Sequence, residues 1–197
     1  MPKPSQGKLL YHITHIDNMQ SILELGLLSR SELEKKGIVD FIDIADPEIL
    51  SKRSNYKEVL SKYVLFHFYA KNPFDGAVCK KYGSENMVII TIDRELHKEN
   101  DFFIIPSHPL DSDTPDIYPY HEGFCKIRWD ILDREVGRDY RDSEIKKACM
   151  AECVMEYTIP PNIFRYIFVN NEKAKDRINS MEMSKSVTVK VASNMFP

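Results

Sequence analysis

The sequence predicts an α+β protein built on a sheet of mixed strand direction with short helices packed against it. Several segments are rich in branched and aromatic residues or alternate apolar and polar residues, which is typical of strands. Short segments bounded by capping residues lie between them and predict helices. The two kinds of segment do not repeat as regular βαβ units, and neither GxGxxG nor GxxxxGK[ST] occurs. We therefore expect no Rossmann or P-loop nucleotide site.

The first elements are an alternating segment and a capped helix. KLLYHIT alternates and favours a strand, Asp17 or Asn18 can cap the helix MQSILEL, and Gly26 can end that helix. DPEILSKRS predicts a helical turn, with Asp46 as its cap and Pro47 at its first position. YVLFHFYA and MVIITI predict two further strands.

Prolines cluster in the middle of the chain. Residues 104–124 contain four of them and predict a long irregular loop, a kind of segment that is usually functional or disordered. Beyond it, RWDILDREV and DSEIKKACM predict helices, AECVMEYTI and RYIFV strands, NEKAKDRINSM a helix and SVTVKVA a final strand. No linker or repeat divides the chain, so we expect one domain over residues 1–197.

Composition narrows the classes of function. The 197 residues are 43% apolar, and no apolar run approaches the roughly 20 residues of a membrane span. The chain starts without an apolar signal segment, and its four cysteines form no CxxC pair, so we expect a reduced, cytoplasmic protein without a membrane partner. The net charge of −3 argues against a general nucleic-acid coat, although a basic stretch at residues 50–62 would suit a few phosphates.

Polar residues interrupt the first predicted strand. Because side chains alternate along a strand, His12 and Thr14 share one face and His15 lies on the other. The HxxH spacing is therefore a poor metal pair unless His67 or His121 converges on it, and we expect no metal. A ring nitrogen beside a hydroxyl can instead hold a ribose or an amide. The alternative is that His12 is a core histidine with its hydrogen bonds satisfied.

Two acidic residues occupy the predicted strand AECVMEYTI. Glu152 and Glu156 fall on one face with Val154, and a carboxylate is costly to bury unless something pairs it. The pattern does not choose between the two glutamates, and a solvated strand face is the alternative. Arg53, in the basic turn, is an exposed arginine when considered by itself.

In order along the chain, these segments resemble the DarT family of DNA ADP-ribosyltransferase toxins. LYHITHIDNMQSIL is similar to the opening of that family, YVLFHFYAKNPF to its YVPFYF element, and SHP around His108 to a histidine in its substrate-side loop. DPEILSKRS resembles the segment that carries its NAD-contacting arginine, here Arg53, and MAECV places its catalytic glutamate on Glu152. The sequence departs from the family pattern at Leu65, His67 and Met150.

The resemblance implies an ADP-ribosyltransferase-like fold, with a mostly antiparallel split sheet, and NAD as co-substrate without a metal. It implies that Glu152 and Arg53 are catalytic. The residues it assigns to NAD are His12, Thr14, Asn18, Arg53, Tyr63 and His67.

The implied acceptor is a base, thymine or guanine, in single-stranded DNA. Residues 134–147, REVGRDYRDSEIKK, precede the glutamate strand and are termed the recognition segment below; Arg138, Tyr140 and Arg141 in it, with His108, would contact DNA. The resemblance also implies a toxin–antitoxin or phage-defence role and a macrodomain-type, DarG-like antitoxin as partner. The alternatives are an acceptor in RNA, in protein or at the 2′-phosphate of spliced tRNA, and a non-catalytic module that binds NAD or nucleic acid.

Overall fold

The computed structural model describes residues 3–45, 60–109, 115–181 and 187–197. Their strands form one sheet in the order β5-β4-β6-β2-β1-β3-β7-β8, in which neighbours are antiparallel except for the parallel pair β7 and β8. The strands are β1 (Leu9–His15), β2 (Val64–His67), β3 (Met87–Asp93), β4 (Phe103–Ile105), β5 (Tyr118–Pro119), β6 (Glu152–Met155), β7 (Phe164–Val169) and β8 (Val189–Val191). The predicted α+β class is confirmed.

Short helices flank this sheet, and local capping explains where several of them begin. Ser29 accepts a hydrogen bond from the Glu32 amide to start α2, and Asn72 caps α3 with Pro73 at its first position. The α-helices are α1 (Met19–Leu25), α2 (Arg30–Lys35), α3 (Pro73–Tyr82), α4 (Tyr120–Lys126), α5 (Trp129–Leu132), α6 (Ser143–Ala148) and α7 (Glu172–Asn179). Turns of 3₁₀-helix occur at Pro4–Gln6, Ile16–Asn18, Ser84–Asn86, Arg94–Lys98, Pro161–Ile163 and Ser193–Met195.

The core lies on both faces of the sheet around β3. Ile90 and Ile92 pack into the larger apolar cluster with residues of β1, β2, β6 and β7, whereas Met87 and Ile89 pack into a second cluster with residues of α3 and the C-terminal turn. This alternation follows the two-residue period of a strand. A strand covered on both faces has no polar side, which explains the continuous apolar run MVIITI.

The two halves of the sheet meet at a narrow junction between β1 and β2. Whereas β1 and β3 are in register over seven residue pairs, the described register of β1 with β2 is one pair, Tyr11 with His67. The His12 side chain crosses the same junction and donates from Nδ1 to the Leu65 carbonyl at 2.7 Å. The expected split of the sheet corresponds to this narrow junction.

The prediction of an irregular loop over residues 104–124 is wrong in part. It overlaps the end of β4 and contains β5 and the first turns of α4. These strands are two or three residues long. β4 pairs with β6 far along the chain, and β5 pairs with β4, so both depend on tertiary contacts rather than on local pattern. The predicted turn at DPEILSKRS falls outside the described residues. Among the described helices, none combines the length and apolarity needed to cross a bilayer.

Candidate active site

A cavity of about 240 Å³ lies at the junction of the two sheet halves. Its walls come from β1, from β2, from the start of β6 and from the irregular residues 41–45 that follow α2. Six of the residues assigned to NAD or to catalysis line it together: His12, Thr14, Asn18, Tyr63, His67 and Glu152. The structure therefore brings together residues that are up to 140 positions apart in sequence.

Glu152 is the first residue of β6, and its side chain is buried at 3% exposure. It is in register with His67 of β2 on one side and with Ile105 of β4 on the other, so paired strands fix its backbone from both sides. Glu156, the alternative left open by the sequence pattern, is exposed and lies beyond the end of β6. Of the two carboxylates, the structure places Glu152 in the cavity wall.

His12 and Thr14 line the cavity as a complementary pair. Because a carbonyl accepts hydrogen bonds, the 2.7 Å contact to Leu65 fixes the proton on His12 Nδ1, and Nε2 of the neutral ring is then an acceptor. Burial lowers the pKa of His12, and the bond to the Leu65 carbonyl only partly opposes this, so the neutral ring is favoured. Thr14 Oγ accepts a hydrogen bond from the Asn18 amide at 3.1 Å, and its own O–H remains a donor.

Residues of β2 and its N-terminal flank form one wall of the cavity. Tyr63, Leu65 and His67 line it together with Val64, whereas Phe66 and Phe68 are buried in the main apolar cluster. Tyr63 is the aromatic residue of this stretch that lines the cavity, and Phe74 of α3 adds a second ring to the cavity wall. His67 is 7% exposed and donates from Nδ1 to the Ala151 carbonyl at 3.4 Å.

Arg53, predicted to be catalytic and to contact NAD, lies outside the described residues. The four residues predicted to bind DNA are described, and they do not line this cavity. His108 is half-buried in the loop after β4. The recognition segment lies in front of β6 in the chain, and its end forms α6.

Two side chains of the recognition segment contact residues that follow β2. The Tyr140 hydroxyl donates to the Lys71 carbonyl at 3.0 Å and lies 3.1 Å from the Tyr69 hydroxyl. The Arg138 guanidinium lies over the Tyr69 ring, 4.9 Å from its centroid. Arg141 is different, because its side chain is 91% exposed and pairs with Asp139 two residues away.

Sequence reasoning missed several residues of the cavity wall. Leu65 and Met150 had been noted as departures from the family pattern, and both line the cavity beside His67 and Glu152. Arg30 and Asp43 also line it and form an ion pair. The Ser-x-x-Glu sequence at residues 29–32 was a usable signal for the start of α2. No local pattern indicates that Asp43 faces this helix.

Solved DarT and DarTG structures share this fold. The chain matches Thermosipho africanus DarTG in complex with ADP-ribose with a TM-score of 0.79 at 24% identity, over 96% of this chain and 51% of that one. It matches Thermus sp. 2.9 DarT in complex with ADP-ribosylated ssDNA with a TM-score of 0.77 at 21% identity, over 96% of each chain. At such identities the likeness establishes the fold.

The chain belongs to the DarT family. The family model described as "ssDNA thymidine ADP-ribosyltransferase, DarT" matches residues 11–196. A DNA ADP-ribosyl transferase–DNA ADP-ribosyl glycohydrolase fusion protein of Thermosipho africanus is 26% identical over 186 residues, which are 91% of this chain and 47% of the relative. A DNA ADP-ribosyl transferase of Thermus sp. strain 2.9 is 23% identical over 190 residues, 90% of this chain and 87% of the relative. The chain thus spans about half the length of the fusion protein.

Proposed function

We propose that the protein transfers ADP-ribose from NAD to a thymine base in single-stranded DNA. The observation that carries the proposal is the single cavity in which a buried glutamate, Glu152, lies with the His12 and Thr14 pair and with His67. Membership of a family described by this reaction supports the same conclusion. The relatives solved in complex with NAD+ and with ADP-ribosylated ssDNA support NAD and single-stranded DNA as substrates.

The His12 and Thr14 pair matches the two hydrogen-bonding groups of a carboxamide. His12 Nε2, an acceptor in the neutral tautomer, receives the amide N–H, and the Thr14 hydroxyl donates to the amide oxygen. The two side chains would thus orient the nicotinamide ring in the cavity. Tyr63 and Phe74 offer apolar surface for that ring.

Glu152 serves the transfer step in two ways. When the bond between the ribose C1′ and nicotinamide breaks, positive charge develops on the sugar, and a buried carboxylate that bonds the 2′-hydroxyl stabilises it. The new bond forms between C1′ and a nitrogen of the base. The same carboxylate can accept the proton that this nitrogen loses, as a general base. Nicotinamide leaves with the electron pair of the broken bond, so charges and atoms balance.

Single-stranded DNA is the acceptor form that this chemistry requires. In thymidine the ring nitrogen that still carries a proton lies on the Watson–Crick edge, where pairing hides it in a duplex. The recognition segment, with Arg138, Tyr140 and Arg141, would bind the strand beside the cavity, and His108 would contact it from the loop after β4. Arg53 remains the residue proposed to meet the pyrophosphate or the reacting centre.

The proposal includes a partner. One relative carries a DNA ADP-ribosyl glycohydrolase fused to its transferase, which supports a DarG-like, macrodomain-type enzyme that removes the modification. The protein would then be the toxin of a toxin–antitoxin or phage-defence pair.

Mass spectrometry of acceptors incubated with NAD tests the function. We expect one ADP-ribose per modified strand, mapped by fragmentation to thymine, on single-stranded oligonucleotides and little on their duplexes. Oligonucleotides with every thymine replaced by cytosine are the matched control. Adducts confined to guanine, RNA or protein would overturn the assignment of the acceptor. If NAD is not consumed with any of these acceptors, the protein is a non-catalytic binding module and the proposed activity is wrong.

A further inference from the structure

Residues 41–45, termed the wall segment, form one side of the cavity without belonging to a helix or strand. All five of them line it. An irregular segment of this kind has no ladder of backbone hydrogen bonds to fix it. Its Ile44 packs against the second apolar cluster, and side chains of the elements around it attach it through hydrogen bonds and an ion pair.

Asn18 supplies the first attachment through its side-chain amide. Nδ2 donates to the Ile42 carbonyl at 2.9 Å, and Oδ1 accepts from the Ile42 amide at 2.8 Å. The same Nδ2 donates to Thr14 Oγ at 3.1 Å, so both of its protons are used inside the protein. The Asn18 side chain thus makes the same two hydrogen bonds to the Ile42 backbone that a neighbouring strand would make.

Arg30 and Asp43 supply the second attachment. The guanidinium forms a two-pronged pair with the carboxylate, at 2.5 Å from Nη1 and 3.0 Å from Nη2. The Asp43 side chain also accepts from the Ala45 amide at 3.0 Å, and the backbone carbonyl of Asp43 accepts from the Tyr82 hydroxyl at 3.2 Å. Both charged side chains are about 30% exposed, so water screens this pair less than it screens a surface pair.

We propose that Asn18 and the Arg30–Asp43 pair are positioning residues that hold the wall segment in its binding form and so set the affinity for NAD. This rests on the proposed function, because NAD is the ligand. If an irregular segment is already held in place before NAD binds, less conformational entropy of the segment is lost on binding, and the affinity is higher. Under this proposal Arg30 acts on NAD through the wall segment. A direct role as a phosphate ligand is the alternative that the variants below test, because the pair with Asp43 uses two of the five N–H donors of the Arg30 guanidinium.

Asp43→Ala separates the two roles of Arg30 because they predict opposite changes. If Arg30 holds the wall, the variant frees the segment and raises the KM for NAD by about tenfold, with kcat changed less than about twofold. Asn18→Ala and Arg30→Ala should show the same split. If Arg30 binds phosphate directly, Asp43→Ala releases its guanidinium and removes a nearby negative charge, so NAD binding stays equal or tightens. That result would overturn the proposal.

Further readouts keep the test independent of folding and of catalysis. Hydrogen exchange at the Ile42 and Ala45 amides should accelerate in the Asn18→Ala and Asp43→Ala variants while β3 amides stay protected; unchanged exchange would contradict the proposal.

The matched control is Arg128→Ala, which breaks a two-pronged pair with Asp130 on the surface away from the cavity and should leave the KM for NAD unchanged. Calorimetric titration of NAD into the wild-type protein distinguishes the failures. If the wild-type protein binds NAD and the wall variants bind it equally well, this inference alone is wrong. If the wild-type protein does not bind NAD, the proposed function is wrong as well.

Discussion

The cavity and the recognition segment would serve the two substrates of the proposed reaction, and they are held in different ways. In the cavity, Glu152 and His67 are opposite each other on paired strands, and both are buried. In the recognition segment, Arg141 is almost fully exposed and pairs with a residue two positions away. Tyr140 and Arg138 connect the segment to residues that follow β2.

The difference matches what each region would do in the proposed reaction. Bond breaking at C1′ needs a carboxylate placed to within a fraction of an ångström, and a strand paired on both sides provides that. Binding of a flexible single strand tolerates small displacements and benefits from charges that can move. Loss of the Glu152 carboxylate should therefore change the rate of chemistry, whereas variants in the recognition segment should change the KM for DNA.

The largest effect is expected for Glu152→Gln, which keeps the shape of the side chain and removes its charge. Transfer of ADP-ribose to a thymine oligonucleotide should fall by about 10³-fold or more, because charge stabilisation and proton acceptance are lost together. Single-turnover assays measure this, and calorimetry should show NAD binding retained. Glu156→Gln is the matched control, since that glutamate is exposed at the end of the same strand, and it should keep wild-type activity. Loss in both variants, or in neither, would contradict the assignment.

Asp75 lies in the first turn of α3, next to Phe74 of the cavity wall, and its ionisation should have the next largest effect, on the free energy of unfolding. It is 2% exposed and accepts from the Lys71 amide at 2.8 Å, and burial raises its pKa to about 7. An aspartate in the unfolded chain ionises near pH 4. Between about pH 4 and about pH 7, ionisation therefore stabilises the unfolded state alone, so the free energy of unfolding falls as the pH rises through this range. Asp75→Asn keeps the acceptor oxygen and should raise the free energy of unfolding at pH 8 by about 2–4 kcal/mol.

Urea unfolding between pH 4 and pH 8 measures this effect. The Asp75→Asn protein should show a flatter dependence of stability on pH than the wild type, whereas the exposed Asp93→Asn should not. An Asp75→Asn protein that loses stability with pH as steeply as the wild type would assign the dependence to other groups.

Tyr140→Phe gives a smaller effect and tests whether the hydroxyl or the ring matters. Loss of its contacts to Lys71 and Tyr69 should raise the KM for DNA by about three- to tenfold while the KM for NAD is unchanged. Steady-state kinetics with each substrate varied in turn measures both constants. If the Phe variant matches the wild type and Tyr140→Ala alone is defective, the ring stacks on a base and the tether has no role.

Local pattern was enough for elements that carry their own signal. The helix MQSILEL begins and ends as predicted, with Gly26 at a φ of 87°, where a side chain would be strained. Strands β1, β3 and β7 were found from alternation or from branched residues. Helix α3 was missed although Asn72, Pro73 and Gly83 bound it, so its signals were present in the sequence.

The remaining features depend on contacts between distant parts of the chain. β4 forms against β6, and β5 forms against β4. The choice of Glu152 over Glu156 required either the resemblance or the burial of one of them. The wall segment shows the same limit. The sequence predicts Asn18 as a possible helix cap. In the structure its side chain makes no capping hydrogen bond, and its amide donates to Thr14 and Ile42 instead.

A crystal structure with an NAD analogue that cannot be cleaved tests the central claim most directly. The account predicts the nicotinamide end in the cavity, its carboxamide on His12 and Thr14, and the adjoining ribose 2′-hydroxyl within about 3.2 Å of the Glu152 carboxylate. An analogue bound elsewhere on the protein, or bound with its adenine end beside Glu152, would contradict the account.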